Sequence, residues 1–487
     1  MEEQGRVFCC SCKLERRRLR TFSPRKFMNL RSVKLSALIV LEYLKRNKVW
    51  VTGGLVILIT LIILQTKLNL FYSQNIIRIG LVGTYQEHDL PLEVTKLISA
   101  PLVEAGSDGR IKPNLVTGWE VNSDATQFQF KLKDNLRWID NTKVLAADLE
   151  FSIPNTTVSY PDERTIQFSL KEPYSPFPSL LTKPIFKKGT LLGIGPYRLV
   201  KIEKSRIFIT KITLQGSGSK LPIVYVRFYP SEKIAITGFN LSEVQVLMGL
   251  SNPKDILTNP LVSIRQQTDY SKIVAVLFQT TDSILRNRSL RQALSYQIPE
   301  IEGEASANNP YPPNFWAYDP AAKKYLSNPE EALAALERAK STLSDDQLHS
   351  ELILTTTPNL EEVGKVIVES WKKLGFDSKL RVESGIPQNF QALLITQSIP
   401  IDPDQYFLWH ATQTKTNLTK YDSKRVDKDL EDGRKMITED ERKAKYFDFQ
   451  KTLLEDAPAA FLYFPKYNAV YLKKVEPLLD KVLNLQS

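Results

Sequence analysis

Asp402 and Asp404 flank Pro403 in an I-D-P-D-Q segment, and a carboxylate pair at this spacing could serve general acid–base chemistry. In a proline turn, however, short acidic side chains bond the local backbone and face water, so both read as solvated turn residues rather than catalysts. The chain has three histidines, His88, His349 and His410, and no G-x-S-x-G elbow to make a nucleophile of a serine. H-E-x-x-H, G-x-x-x-x-G-K-[ST] and G-x-G-x-x-G are also missing, which removes the usual local signatures of metalloprotease, nucleotide and dinucleotide sites. Cys9, Cys10 and Cys12 form a C-C-x-C cluster. It offers fewer donors than the four a structural metal site uses and reads as inert. The chemistry on offer is therefore holding rather than turnover: no enzyme, no cofactor and no metal are expected.

Charge points the same way. The net charge of +11 suggests nucleic acid until it is located. Met1 to Lys48 carry thirteen Lys/Arg against four Asp/Glu, an excess of nine, so only two positive charges are left for the rest of the chain. Basicity confined to a tail does not make a nucleic-acid surface, and no nucleic-acid partner is expected. The stretch Val49 to Thr66 has no charged residue and is extended by Leu68, Leu70 and Phe71 around Lys67. About 20 apolar helical residues cross a hydrocarbon core, with a lysine near one end able to snorkel. Arg16, Arg17, Arg18, Arg20 and further cations precede it, which predicts a cytosolic N-terminus. The run and its leader are too long for a cleaved signal, and no A-x-A-like site follows. The expectation is a single-pass signal-anchor over 49–71 behind a basic tail over 1–48, with the remainder extracytoplasmic. Ser36 to Leu44 is a shorter apolar run suited to an interfacial helix. The exported part lacks cysteine, so its core must hold without disulfides.

At 487 residues the chain is too long for one core, and its 24% charged and 42% hydrophobic content is ordinary for globular domains. Ile76 to Val82 is a near-continuous apolar strand, as in a sheet covered on both faces. Thr165 to Leu170, Arg206 to Leu214, Ile223 to Tyr229 and Lys272 to Phe278 read as further strands. Phe128, Phe130 and Leu132 alternate and share one strand face, while Leu145 to Phe151 reads as a short helical piece with Leu145 and Leu149 inward. Pro329 starts a helix whose Leu333, Leu336 and Ala339 share a face. Leu360, Val363, Ile367, Trp371 and Leu374 form a helical stripe ended by Gly375, and Tyr446, Phe449 and Leu453 form another before Pro458. Asp108-Gly109 is a tight turn. Trp119 and Trp138 are assigned to the core, and Trp409 and His410 to packing.

The stretch Leu97 to Ser152 contains LVE, DGRIKPNLVTGWEV and FQFKLKDNLRWIDNTKVLAADLEFS in succession. This order resembles the extracytoplasmic solute-binding proteins of peptide- and nickel-type ABC importers. The likeness continues through Gly193-Ile194-Gly195-Pro196-Tyr197, Arg288 to Tyr296 (RSLRQALSY), Tyr318-Asp319-Pro320 with its alanine-rich helix, and Val426 to Leu462. No single piece is specific; the ordered set from about Ile76 to Lys474 is.

The resemblance implies an α/β, two-lobed type II periplasmic-binding-protein-like fold preceded by one transmembrane helix. Lobe 1 would span 76–269 with a C-terminal return over 464–487, and lobe 2 would span 270–463, joined by a hinge of two crossings. It implies capture of an oligopeptide or similar solute between the lobes, for delivery to ABC permease subunits. By family position the ligand would meet Gly83, Thr84 and Tyr85 after the first strand and Thr280 and Thr281 after the strand entering lobe 2. It would also meet Asn314, Phe315 and Trp316 at the mouth, and Thr396, Gln397, Ser398 and Asp402 near the hinge. Three departures stand out. The lipid-bearing cysteine of many relatives has no counterpart, the helical subdomain after Phe151 is trimmed, and the tryptophan and ammonium-binding aspartate near Thr396 are missing. The last implies blocked, longer or non-peptide ligands. An alternative of another class is a surface sensor that keeps the fold without transport.

Overall fold

The computed structural model describes Gly53 and residues 56–65, 75–253, 256 and 258–483. It divides into a unit over Met1–Ser73 and one over Gln74–Ser487. In the first, Gly53 and residues 56–65 are helical, and Val56, Ile57 and Leu61 are exposed. The rest of the anchor expected over 49–71, with the basic tail and its cysteines, lies outside the described residues. Among the described residues no helix is long and apolar enough to cross a membrane.

The second unit begins with β1 (Ile76–Val82), whose Ile77, Ile79 and Leu81 are buried. A small β region follows: β2 (Val103–Ala105), β3 (Ile111–Pro113), β4 (Val116–Val121), β5 (Gln127–Leu132), β6 (Thr156–Ser159) and β7 (Thr165–Leu170). The chain then returns through β8 (Tyr197–Ser205), β9 (Phe208–Gly216), β10 (Ile223–Tyr229), β11 (Val246–Leu250) and β12 (Val262–Thr268). Five strands come next, β13 (Lys272–Phe278), β14 (Ala305–Ser306), β15 (Leu352–Thr356), β16 (Ser378–Val382) and β17 (Ala392–Ser398), interleaved with helices. β18 (Ala459–Phe464) and β19 (Lys466–Leu472) close the set.

These strands make two large mixed sheets. One has seven strands in the order β12-β19-β11-β1-β10-β9-β8, and the other six in the order β14-β18-β13-β17-β15-β16. β1 is central and pairs in parallel with β10 and β11, which explains its apolar run: helices cover both faces of such a strand. The chain passes from the first sheet to the second between Thr268 and Lys272, and back between Phe464 and Lys466. The two crossings touch. The Asp269 N–H donates to the Pro465 carbonyl at 2.8 Å, and the rings of Tyr270 and Phe464 lie 5.1 Å apart.

The small β region has its own antiparallel sheet, β4-β5-β7-β6, and a β2-β3 hairpin. Alternation in β5 buries Phe128, Phe130 and Leu132 and exposes the residues between them. Phe168 and Phe177 complete an aromatic cluster, Phe128 and Phe177 being 4.9 Å apart. Trp138 is buried in this core, as expected. The short helical piece expected over Leu145 to Phe151 is a 3-10 helix confined to Ala146–Asp148, with Val144, Ala146 and Leu149 inward and Leu145 only half-buried. The Asp148 carboxylate accepts from the Leu145 N–H at 3.1 Å, the reach-back contact from the third position that supports the start of this short helix.

Around the six-stranded sheet, the helix Glu361–Lys372 buries Ile367 and Trp371, and Gly375 follows at φ 96° as the sequence predicts. Trp371 donates its ring N–H to the Leu294 carbonyl at 3.1 Å. The helix Pro329–Lys340 is capped by Asn328, which accepts from Glu330 and Glu331. Its buried stripe is Ala332, Ala335, Leu336 and Ala339, while Leu333 is exposed. The stripe starts one residue earlier than expected, since 332, 335, 336 and 339 fit one face and 333 lies about 100° around.

Candidate functional site

Loops and strand ends of the two parts meet across a cleft of about 260 Å³. The β2-β3 hairpin contributes Arg110 and Ile111, β4 contributes Trp119 and Val121, β5 contributes Phe128, and the segment after β7 contributes Ser175 to Ser179. Facing them are Trp316, Asp402, Ile437, Glu439 and Arg442 from the chain around the six-stranded sheet.

Asp402 and Arg442 form the buried centre of the far wall. Arg442 holds the carboxylate with both terminal nitrogens, Nη1 to Oδ2 being 3.1 Å. It also donates from Nε to the Gly433 carbonyl at 3.0 Å and from Nη2 to the Tyr446 hydroxyl at 2.9 Å. Burial opposes the Arg442 charge, but the Asp402 carboxylate and the Tyr446 phenol more than offset it and lift its pKa above the ordinary value. The guanidinium lies 5.4 Å from the Trp316 ring centre, a cation–π placement. Asp404 is buried too. It pairs with Arg434 Nε at 2.9 Å, and burial pushes its carboxyl up despite that partner. The expectation that Asp402 and Asp404 are solvated is therefore corrected: two arginines thirty to forty residues downstream supply the charges that let them go inside.

The mouth is closed by main chain as well as charge. The Asn314-Phe315-Trp316 loop docks on the Ser107-Asp108-Gly109 turn. The Trp316 N–H donates to the Asp108 carbonyl at 2.9 Å, and Asn314 Nδ2 donates to the Ser107 carbonyl at 2.6 Å. Gly109 has φ 76°, and a Cβ there would meet the Phe315 ring at 2.1 Å, so only glycine fits. Arg110 donates from Nε to Glu439 at 3.0 Å and from Nη1 to Asp108 at 3.1 Å. At the other end, the Ser175 N–H donates to the Arg434 carbonyl at 2.8 Å, and the Arg434 guanidinium covers the Tyr174 ring at 4.9 Å.

Of the residues named from sequence, Asn314, Phe315, Trp316 and Asp402 come together here; Trp316 and Asp402 line the cleft, while Asn314 and Phe315 hold its mouth. The others lie elsewhere. Gly83 donates to the Tyr229 carbonyl at 2.7 Å, Thr84 is exposed, and Tyr85 packs on Phe228 at 5.1 Å. Thr280 is used internally, its hydroxyl donating to the Thr419 and Lys420 carbonyls. Thr280 and the exposed Thr281 follow the end of β13 remote from the crossings. Thr396, Gln397 and Ser398 are β17 residues paired with Val274, Ile273 and Lys272, and none of the three lines the cleft. His410 is buried in packing, stacked on Tyr406 at 4.0 Å and near Glu431.

Sequence reasoning missed Arg110, Ser175, Glu439 and Arg442, and placed Trp119 in the core. Trp119 is half-buried, stacked on Phe130 at 5.7 Å with its other side on the cleft. A signal for Arg442 was available: Arg442, Tyr446 and Gln450 recur every four residues in the helix Glu439–Asp456, and all three are buried. A buried arginine needs its donors met by a carboxylate or by carbonyls, and here Asp402 supplies the carboxylate.

Two mixed sheets joined by a double crossing, with a walled cleft where the small β region faces the chain around the six-stranded sheet, give the fold a two-walled site suited to binding. Residues 110–418 match the family of bacterial extracellular solute-binding proteins, family 5 Middle, and the chain belongs to it. It is 23% identical over 466 residues to the probable D,D-dipeptide-binding periplasmic protein DdpA of Escherichia coli (strain K12), covering 79% of this chain and 87% of that protein. Its fold is similar to NikZ from Campylobacter jejuni, solved in complex with Ni(L-His), with a TM-score of 0.67 and 20% identity over 82% of this chain and 94% of that one. It is also similar to the oligopeptide-binding protein AppA from Bacillus subtilis, solved with a nonapeptide, with a TM-score of 0.61 and 16% identity over 82% and 94%. Proteins of this family bind solutes rather than transform them.

Proposed function

We propose that this chain captures a peptide-like solute between two lobes, 76–269 with 464–487 and 270–463, and delivers it to the permease subunits of an ABC importer. The observation that carries the reading is the cleft itself. It is lined by Trp119 from one wall and Trp316 from the other, with the buried Asp402–Arg442 pair behind. Aromatic walls with a few fixed polar groups are the usual makeup of a small-molecule site. The adjoining crossings at Asp269 and Pro465 supply a place for rigid-body opening, and the Asn314–Trp316 loop supplies contacts made on closing.

The apolar run at 49–71 anchors the protein in the membrane as a single helix, with the basic tail in the cytosol and the binding unit outside. A fixed anchor does the tethering that a lipid would otherwise do, keeping the receptor near its permease. The sequence likeness to DdpA favours a peptide over a metal chelate as cargo.

Mass spectrometry of small molecules released by denaturing the purified full-length protein tests the reading. A narrow set of peptide-like masses that disappears with Trp316→Ala is expected. A protein recovered without such masses, and unable to take any up from a peptide hydrolysate, would contradict it and favour a non-transport sensor.

A further inference from the structure

The cleft presents four charged side chains, and each already has a partner in the protein. Arg110 is held by Glu439 and Asp108, and Arg442 and Asp402 hold each other with both ends engaged. The buried Asp402–Arg442 pair therefore offers no spare charge to a ligand terminus, and the exposed Arg110 is already shared between two carboxylates. The second pair is buried, so recruiting either member to a ligand would strand the other without compensation.

One buried side-chain polar atom in the wall has no hydrogen-bond partner. The Ser175 hydroxyl oxygen is buried and makes no hydrogen bond, although its residue lines the cleft. A buried hydroxyl left unpaired is costly and uncommon. It can donate or accept and brings no charge, so either side of an amide would satisfy it without a charge being buried. Around it stand Pro176, Pro178, Trp119 and Trp316, apolar faces suited to a ligand with few exposed charges. The volume of about 260 Å³ falls just below the roughly 300–1,000 Å³ of sites for drug-sized ligands, which limits the ligand to about two residues.

Resting on the solute-binding reading above, we infer that the cleft selects an uncharged, amide-bearing ligand of two-residue size, a dipeptide whose termini are blocked or joined, with the Ser175 hydroxyl bonded to one of its amides. A zwitterionic dipeptide would bury an ammonium and a carboxylate against groups that are already neutralised, and is rejected for that reason.

The full-length protein in nanodiscs, freed of copurified solute, is offered an equimolar mixture of two dipeptide libraries with the same side chains. One library carries N-acetyl and C-amide caps; the other has free termini. The bound fraction is read by mass spectrometry. Enrichment of the capped library by about tenfold or more is expected, as is a loss of about two- to tenfold in capped capture with Ser175→Ala. Equal or preferred capture of free termini would overturn the inference and leave the solute-binding reading standing. Capture of neither library would overturn both. An unchanged capped capture in Ser175→Ala would remove the hydroxyl from the account of selectivity.

Discussion

The main-chain N–H of Trp316 donates to the main-chain carbonyl of Asp108 at 2.9 Å, tying a loop beside the six-stranded sheet to the β2-β3 hairpin across the cleft. Because both groups are backbone, no side-chain change at either residue removes the bond directly. What can remove it is loss of the fit between Gly109 and Phe315 next to it. Gly109→Val would force a branched side chain into φ 76° and into the Phe315 ring, which is itself stacked on Tyr311 at 5.6 Å and cannot swing away. The left-handed backbone alone costs of order 1–3 kcal/mol. Expected is a solute Kd raised about tenfold or more, measured by calorimetry, with a thermal midpoint lowered by a few degrees as the strain requires, and partial recovery of both in Gly109→Val with Phe315→Ala. Unchanged affinity in the single variant would show that the hairpin does not contribute to closure.

Breaking the Asp402–Arg442 pair from one side leaves a buried charge without its counter-ion. Asp402→Asn is expected to lower unfolding stability by about 3–5 kcal/mol, read from urea unfolding, and Asp402→Asn with Arg442→Met to lower it by clearly less. Additive losses would mean that the two residues act separately.

The Arg110–Glu439 pair is exposed on both sides, and exposed ion pairs contribute about 0–1 kcal/mol. Glu439→Gln is therefore expected to leave stability within about 0.5 kcal/mol. It should weaken solute binding by at most about fivefold at low salt, with the difference gone in 1 M salt, where the screening length is about 3 Å. A large effect that persists in 1 M salt would contradict a screened, mouth-closing role and make Glu439 a direct ligand contact.

Alkali tests the core. Burial pushes the Tyr197 and Tyr463 phenols up to about 12, against an ordinary value near 10. A folded-state pKa raised in this way gives stability that is fully present below pH about 10 and lost as pH rises through about 12. Tyrosinate absorbance and far-ultraviolet circular dichroism are expected to change together in that window. Ionisation of all nineteen tyrosines near pH 10 with the fold intact would contradict the burial.

Much of the fold was legible because its signals are local. β1, β7, β10 and β13 match the predicted strands residue for residue, since an apolar or alternating run of this length has few other uses. The Leu360–Leu374 stripe and its terminal Gly375 were equally plain. Errors came where local pattern gave way to distant partners. Leu333 was mistaken for a core residue because leucine weighs more than alanine in a periodicity, yet the close approach of that helix is made by Ala332, Ala335 and Ala339.

The site was legible in part for the same reason. Trp316 and Asp402, named from the order of family motifs, both line the cleft; that order fixes position along the chain but not direction in space. That order also proposed Thr280, whose hydroxyl is spent on Thr419 and Lys420. Arg110 and Glu439 are separated by more than three hundred residues and meet only because the β2-β3 hairpin folds against the start of the helix Glu439–Asp456. No spacing rule reaches that far.

The central claim is that the two walls close on a solute. Small-angle neutron scattering from the full-length protein in contrast-matched nanodiscs measures this directly, comparing solute-stripped protein with the same sample after its copurified solute is restored. A smaller radius of gyration on restoring the solute, abolished by Gly109→Val, is the predicted result. An identical radius with and without bound solute would contradict the account.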